Sequence, residues 1–267
     1  MTSDVTSYSS PSPAAPAKPK ILEIEDVTVS FDGFKALKNL NFAMDEGELR
    51  VIIGPNGAGK TTFLDVITGK VKPTSGNVRF KGKNTRTLSE HKIAQSGVGR
   101  KFQTPRIYLN LSPQENLELS ANRSKQVWST LFGKPSVVER RTVQELLGVI
   151  GLKKKADIKA AFLSHGEKQW LEIGMLVAQS PDLLLVDEPV AGLTDEETER
   201  TGELLISLAE EHSIIVIEHD MEFVRQIARQ VTVLHEGTVL CEGTIDQVQK
   251  DPRVIEVYLG KAEDEEH

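Results

Sequence analysis

The chain has 267 residues, a formal net charge of −7 and 39% apolar residues, enough for one large domain or two small ones around a sizeable core. The acidic balance argues against a general nucleic-acid binder. The single cysteine, Cys241, excludes an internal disulfide and suits a reducing cytosol. No apolar run approaches the roughly 20 residues of a membrane-spanning helix, and the N-terminus lacks a positive segment followed by an apolar core.

Residues 1–20 are mostly Ser, Thr, Pro and Ala. They bury too little apolar surface to offset the entropy of ordering, so a disordered leader is expected. From Ile21 the pattern becomes strand-like through Leu22, Ile24, Val27, Val29 and Phe31. A hairpin turn follows at Asp32-Gly33, then a second strand from Ala36 to Met44. Val78 to Lys81 adds another, giving an antiparallel sheet beside the next element. Phe31 lies near the turn, where its ring could stack on adenine or equally serve the core.

Leu49-Arg50-Val51-Ile52-Ile53 reads as a short buried strand. Gly54-Pro55-Asn56-Gly57-Ala58-Gly59-Lys60-Thr61-Thr62 follows, with the spacing G-x-x-x-x-G-K-[ST] of a phosphate-binding loop. A helix through Ile67 comes next. The glycines let the backbone turn successive N–H groups inward as an anion cradle, and the helix N-terminus adds partial positive charge. Lys60 would reach the β- and γ-phosphates, and the Thr61 hydroxyl would face Mg²⁺.

Val98 to Phe102 is strand-like, and Gln103 follows it directly. Residues 104–113 are irregular, with two prolines and the exposed-looking Ile107, Tyr108 and Leu109. A helix is expected after Ser112 with Pro113 at its first position, and residues 123–135 read as a loop. Val143, Leu146, Leu147 and Ile150 fall on one helical face, which Gly151 ends. Leu163-Ser164-His165-Gly166-Glu167 then contains a capping box, Ser164 with Glu167. Its helix continues through Trp170, Ile173, Leu176 and Val177. On local grounds this is a helix start, although such an N-terminus with Gly166 at its second position also invites a phosphate.

Asp182-Leu183-Leu184-Leu185-Val186-Asp187-Glu188-Pro189 is an apolar strand ending in two carboxylates. Asp187 would hold Mg²⁺, and Glu188 would orient or deprotonate an attacking water. Ser213 to Ile217 is a further buried strand, followed by Glu218-His219-Asp220. In doubly wound sheets ligands bind off the carboxyl ends of strands. The phosphate loop, Gln103, Asp187-Glu188 and His219 each follow such an end, which points to one site. The tail offers strands at Val231–Leu234 and Val239–Cys241 around Glu236-Gly237, short helices over 244–249 and 251–258, and an acidic terminus.

This order of motifs resembles the ATP-binding subunit of ABC transporters over residues 21–260. The matching stretches are Gly54–Thr62 (Walker A), Gln103 (Q-loop), Leu163–Glu167 (signature), Leu183–Glu188 (Walker B) and His219 (switch histidine). The signature departs from the usual Leu-Ser-Gly-Gly-Gln at His165 and Glu167, and Thr194 stands where the following loop usually has Asp. The resemblance implies an α/β fold. Its parts would be a RecA-like P-loop parallel sheet, an antiparallel β subdomain and a helical signature subdomain over about 104–180, with an acidic tail at 261–267.

It further implies ATP hydrolysis with Mg²⁺, in which Gly54, Pro55, Asn56, Gly57, Ala58, Gly59, Lys60, Thr61, Thr62 and Phe31 bind nucleotide. Gln103 would touch both nucleotide and metal, Thr61 and Asp187 would hold the metal, and Lys60, Glu188, His219 and Gln103 would act in catalysis. Ser164 and Gly166 would meet the γ-phosphate of ATP held by a second cassette, identical or paralogous. The implied partners are membrane permease subunits and, indirectly, a solute-binding protein, with no nucleic acid. The implied location is cytoplasmic, peripheral on the inner face of the plasma membrane. The variants at the signature and at Thr194 resemble the branched-chain amino acid transport group. Within it, Val186–Gly192 and Asp251–Gly260 look most like the urea-importer ATPase. The expected cargo is therefore urea, with branched-chain amino acids as the alternative. A cassette ATPase acting in DNA repair or on ribosomes is the reading from another class, but such proteins carry two cassettes or a long coiled-coil insertion, and this chain has neither.

Overall fold

A computed structural model describes residues 18–101, 107–121 and 137–257, with side chains from 142 in the last segment. The expected leader (residues 1–17 of it), Gln103, the loop at 123–135 and the acidic tail lie outside the described residues. The strands are β1 (Lys20–Phe31), β2 (Phe34–Asp45), β3 (Leu49–Ile53), β4 (Ser75–Phe80), β5 (Lys83–Asn84), β6 (Val98–Arg100), β7 (Leu183–Asp187), β8 (Ser213–Ile217), β9 (Gln230–His235) and β10 (Thr238–Gly243). The helices are α1 (Lys60–Thr68), α2 (Glu90–Gln95), α3 (Pro113–Ala121), α4 (Val137–Val149), α5 (His165–Val177), α6 (Asp195–Leu208), α7 (Met221–Ile227) and α8 (Ile245–Val248). Residues 252–257 are also helical.

Six strands form a sheet in the order β10-β9-β3-β8-β7-β6. β9, β3, β8, β7 and β6 run parallel, and β10 adds antiparallel to β9 at one edge. β3, β7 and β8 are buried at every residue, as expected of parallel strands covered on both faces. Alternate side chains feed two cores. Val51, Leu184, Val186, Ile214 and Val216 face α5, α6 and α7. Ile52, Leu183, Leu185, Ile215 and Ile217 face α1 and the second sheet. That second sheet, in the order β2-β1-β4-β5, is antiparallel. It is tied to α1 by the edge-to-face pair Phe42–Phe63, with ring centroids 5.1 Å apart.

Between β6 and β7 every described element is helical. α4 buries Val143, Leu146 and Leu147, with Ile150 just past its end, against Leu117 of α3 and Trp170 and Ile173 of α5. The expected combination of parallel core, antiparallel subdomain and helical subdomain is present. One local expectation is corrected. Ile107 is half-buried and packs on the larger core, whereas Tyr108 and Leu109 are exposed. The cause is Asn116 of α3. Its Oδ1 accepts from the Tyr108 N–H at 2.8 Å and its Nδ2 donates to the Tyr108 carbonyl at 3.1 Å, which turns the neighbouring Ile107 inward.

Candidate functional site

The loop from Gly54 to Gly59 joins β3 to α1, and its shape depends on close approaches that only glycine allows. Gly54 has φ 153°, and a Cβ there would lie 2.2 Å from the Leu234 carbonyl oxygen. At Gly59 a Cβ would lie 2.7 Å from the Ala36 carbonyl oxygen. The turn between β9 and β10 braces the loop, since the Gly237 N–H donates to the Ala58 carbonyl at 3.0 Å. The same turn is held to β2, because the Lys38 N–H donates to the Gly237 carbonyl at 2.9 Å. Lys60 Nζ curls over the loop and donates to the carbonyls of Gly54 (2.7 Å) and Pro55 (3.1 Å). A glycine-built curl ahead of a helix N-terminus, with an ammonium across it, suits a polyphosphate.

The next two strand ends bring acids to the same edge. β7 pairs with β8 and β8 with β3, with Asp187 opposite Ile217 and Ile217 opposite Ile52. Asp187 is buried, which pushes its carboxyl up, while Arg100 Nη2 at 3.4 Å pulls it back. Arg100 also pairs with Asp65 of α1. Among the described residues no group of three or more His, Cys, Asp or Glu could hold a metal alone. One buried carboxylate and one threonine hydroxyl fit Mg²⁺, which takes few protein ligands and the rest from phosphates and water.

Glu188 sits at φ 46°, immediately before Pro189. For a non-glycine residue this costs on the order of 1–3 kcal/mol and recurs at functional sites. Its N–H donates to the Ile217 carbonyl at 3.0 Å, and its Oε1 stands 3.6 Å from His219 Nδ1. His219 is exposed. Glu218 beneath it is buried, which pushes its carboxyl up, although it accepts from the backbone N–H groups of His219 (2.9 Å), Asp220 (3.4 Å) and Val190 (3.3 Å). It thereby ties the segments after β7 and β8 together.

Ser164 caps α5 in a complete capping box with Glu167. A second carboxylate joins it. Glu197, in the first turn of α6, accepts from Ser164 Oγ at 2.9 Å and from the Gly166 N–H. Its other oxygen accepts from the Thr194 N–H at 3.3 Å. Partial burial pushes the Glu197 carboxyl up, but these donors and the nearby His165 outweigh it and hold the group below the usual range. His165 contacts Gln169 at 3.1 Å.

The fold thus gathers Gly54–Thr62, Asp187, Glu188 and His219 on adjacent strand ends. It puts Ser164 and Gly166 at the head of α5, and Phe31 at the β1–β2 tip, 47% exposed, opposite Phe34 at 68%. β2 passes close behind the loop through Ala36 and Leu37. Sequence reasoning missed Arg100, Asp65, Glu218 and Glu197. Glu197 had a readable signal, the spacing Thr194-x-x-Glu197 of a second capping box. Arg100 and Asp65 had none, because they meet only across the folded sheet.

The family model described as ABC transporter matches residues 37–191, and one described as branched-chain amino acid ATP-binding cassette transporter matches residues 238–264. The chain is similar to the high-affinity branched-chain amino acid transport ATP-binding protein BraF of Pseudomonas aeruginosa, at 36% identity over 91% of this chain and 98% of the relative. It is also similar to LivG of Escherichia coli, a protein of the same description, at 35% over the same shares. Among solved structures, the ADP conformation of an ABC transporter cassette matches with a TM-score of 0.79 and 29% identity, over 90% of this chain and 99% of that one. A dimeric post-hydrolysis cassette bound to ADP and phosphate matches with a TM-score of 0.70 and 28% identity, over 84% and 98%. These findings correct the expected urea assignment. The closing segment that suggested it, Asp251–Gly260, lies inside the match to the branched-chain family, and the relatives named here are branched-chain proteins. The shared closing segment marks the group, not a urea branch within it.

Proposed function

Because the chain belongs to the ABC transporter family of ATP-binding cassettes, we propose that it powers uptake of branched-chain amino acids through a membrane permease, as the ATP-hydrolysing subunit. The match of residues 238–264 carries the choice of cargo. The test is uptake of labelled leucine in cells lacking this protein. Accumulation should fall to the background of passive entry and return with the restored gene, and undiminished uptake would remove the assignment.

ATP is held by its phosphates in the loop Gly54–Thr62, with Lys60 leaving the Gly54 and Pro55 carbonyls for the β- and γ-phosphates. Phe31 stacks on adenine. Asp187 and the Thr61 hydroxyl, with Gln103, would hold Mg²⁺, which would supply charge neutralisation to the bound triphosphate. Glu188 accepts a proton from the attacking water as its oxygen bonds to the γ-phosphorus and the bond to the leaving ADP breaks. His219, 3.6 Å from Glu188, stands where it can steady the γ-phosphoryl group. Ser164 and Gly166 receive the γ-phosphate of ATP bound by a second cassette.

Among the described residues no helix is long and apolar enough to cross a membrane. Belonging to an importer, the chain would meet the bilayer through the permease, on its cytoplasmic side. Tyr108, Leu109, Ile158 and Phe162 are exposed, and the Ala161 N–H bonds the Leu109 carbonyl at 3.0 Å, which sets the two short segments side by side. Such an apolar surface suits a permease helix. Tyr108→Ser or Leu109→Ser should lower leucine uptake roughly tenfold while leaving the ATPase rate of the purified chain unchanged. Normal uptake would place the contact elsewhere.

A further inference from the structure

The head of α5 already has an anion. Glu197 lays one carboxylate oxygen on the Ser164 hydroxyl, 2.9 Å away, and the other on the Thr194 N–H, 3.3 Å away. It therefore bridges the N-termini of α5 and α6, and both helix dipoles favour its charge. The contact is close. A Cβ at Gly166 would come within 2.6 Å of Glu197 Oε1, so the absence of a side chain at 166 is what admits the carboxylate. Glu197 also accepts from the Gly166 N–H, and the Ser164 hydroxyl and the Gly166 backbone are the two donors assigned above to the γ-phosphate of the opposing ATP.

We propose that Glu197 is an internal plug of the signature: it occupies the γ-phosphate donors in the isolated chain and must be displaced before a second copy can seat its ATP there. The proposal rests on the two-cassette reading given above. An incoming phosphate faces competition for Ser164 and Gly166 and repulsion between like charges, since both groups are anionic. Displacing Glu197 also frees the Thr194 N–H and loosens the start of α6. Occupation of the signature thus reaches the segment between Glu188 and α6. No covalent step is involved.

Glu197 also completes the capping box of α6, so a purely local role must be separated from the plug. Glu197→Gln does this, because glutamine serves a capping box as glutamate does but carries no charge. The measurement is ATP-driven association of purified chain by sedimentation velocity, with Mg²⁺, in a Glu188→Gln background that slows hydrolysis. The dissociation constant of the ATP-bound dimer should fall when Glu197→Gln is added, by about fivefold for each of the two sites it would contain. Affinity of the monomer for a fluorescent nucleotide should not change, since the contacts of Glu197 described above are at the heads of α5 and α6 and involve no residue of the phosphate loop. Equal or weaker association of the double variant would overturn the plug while leaving the two-cassette reading intact. Failure of the Glu188→Gln chain itself to associate with ATP would overturn the plug and the pairing of identical copies together, leaving only a paralogous cassette as the partner.

Discussion

Glu188→Gln should bind ATP as the parent does and turn it over about 10²–10⁴ times more slowly. Glutamine keeps the shape and hydrogen-bonding reach of the side chain but cannot take a proton from water. The backbone should be little disturbed. The Glu188 N–H bond to the Ile217 carbonyl is a main-chain contact that glutamine leaves in place. With hydrolysis slowed, ATP-bound chain should accumulate, and the associated form with it. Rapid-quench turnover alongside equilibrium binding of labelled ATP separates the two effects. A variant that hydrolyses at near the parent rate would mean that another group accepts the proton, and His219, 3.6 Å from Glu188, would be the first to test.

Lys60→Ala should weaken nucleotide binding roughly 10- to 100-fold, the equivalent of one or two charge-assisted hydrogen bonds to phosphate. Titration calorimetry with ATP and ADP measures it. The loss should be larger for ATP, because the lysine is expected to reach the γ-phosphate as well. The fold should survive, since the Gly237 N–H still braces the loop at the Ala58 carbonyl, and the bonds of the ammonium to the Gly54 and Pro55 carbonyls are ones it would give up for phosphate in any case. A thermal midpoint close to the parent's would verify that. Unchanged calorimetry would remove Lys60 from the binding site.

The phosphate loop, Asp187 and Glu188 at the end of β7, and His219 could be located in advance because each is local, a short polar signal at the end of an apolar strand. The parallel sheet then makes the strand ends neighbours. What could not be read depends on long-range contact. Arg100 and Asp65 are 35 residues apart along the chain, and nothing in their immediate surroundings announces that the two side chains pair. Ile107 looked exposed because its run is proline-rich and irregular. Only Asn116, nine residues later and on a helix, turns it inward. The cargo failed for a different reason. A cassette does not touch the transported solute, so no residue of the nucleotide site encodes it, and the closing segment offers only kinship.

The brace behind the phosphate loop has an implication for building hybrids. Every motif named above ends by His219, yet the floor under Gly54 is the Leu234 carbonyl and the strut under Ala58 is Gly237. Grafting the last two strands from a relative would exchange no signature residue and still retune the nucleotide end of the machine. Conversely, a fragment stopped after residue 220 would carry a complete set of instructions with nothing left to hold the page flat.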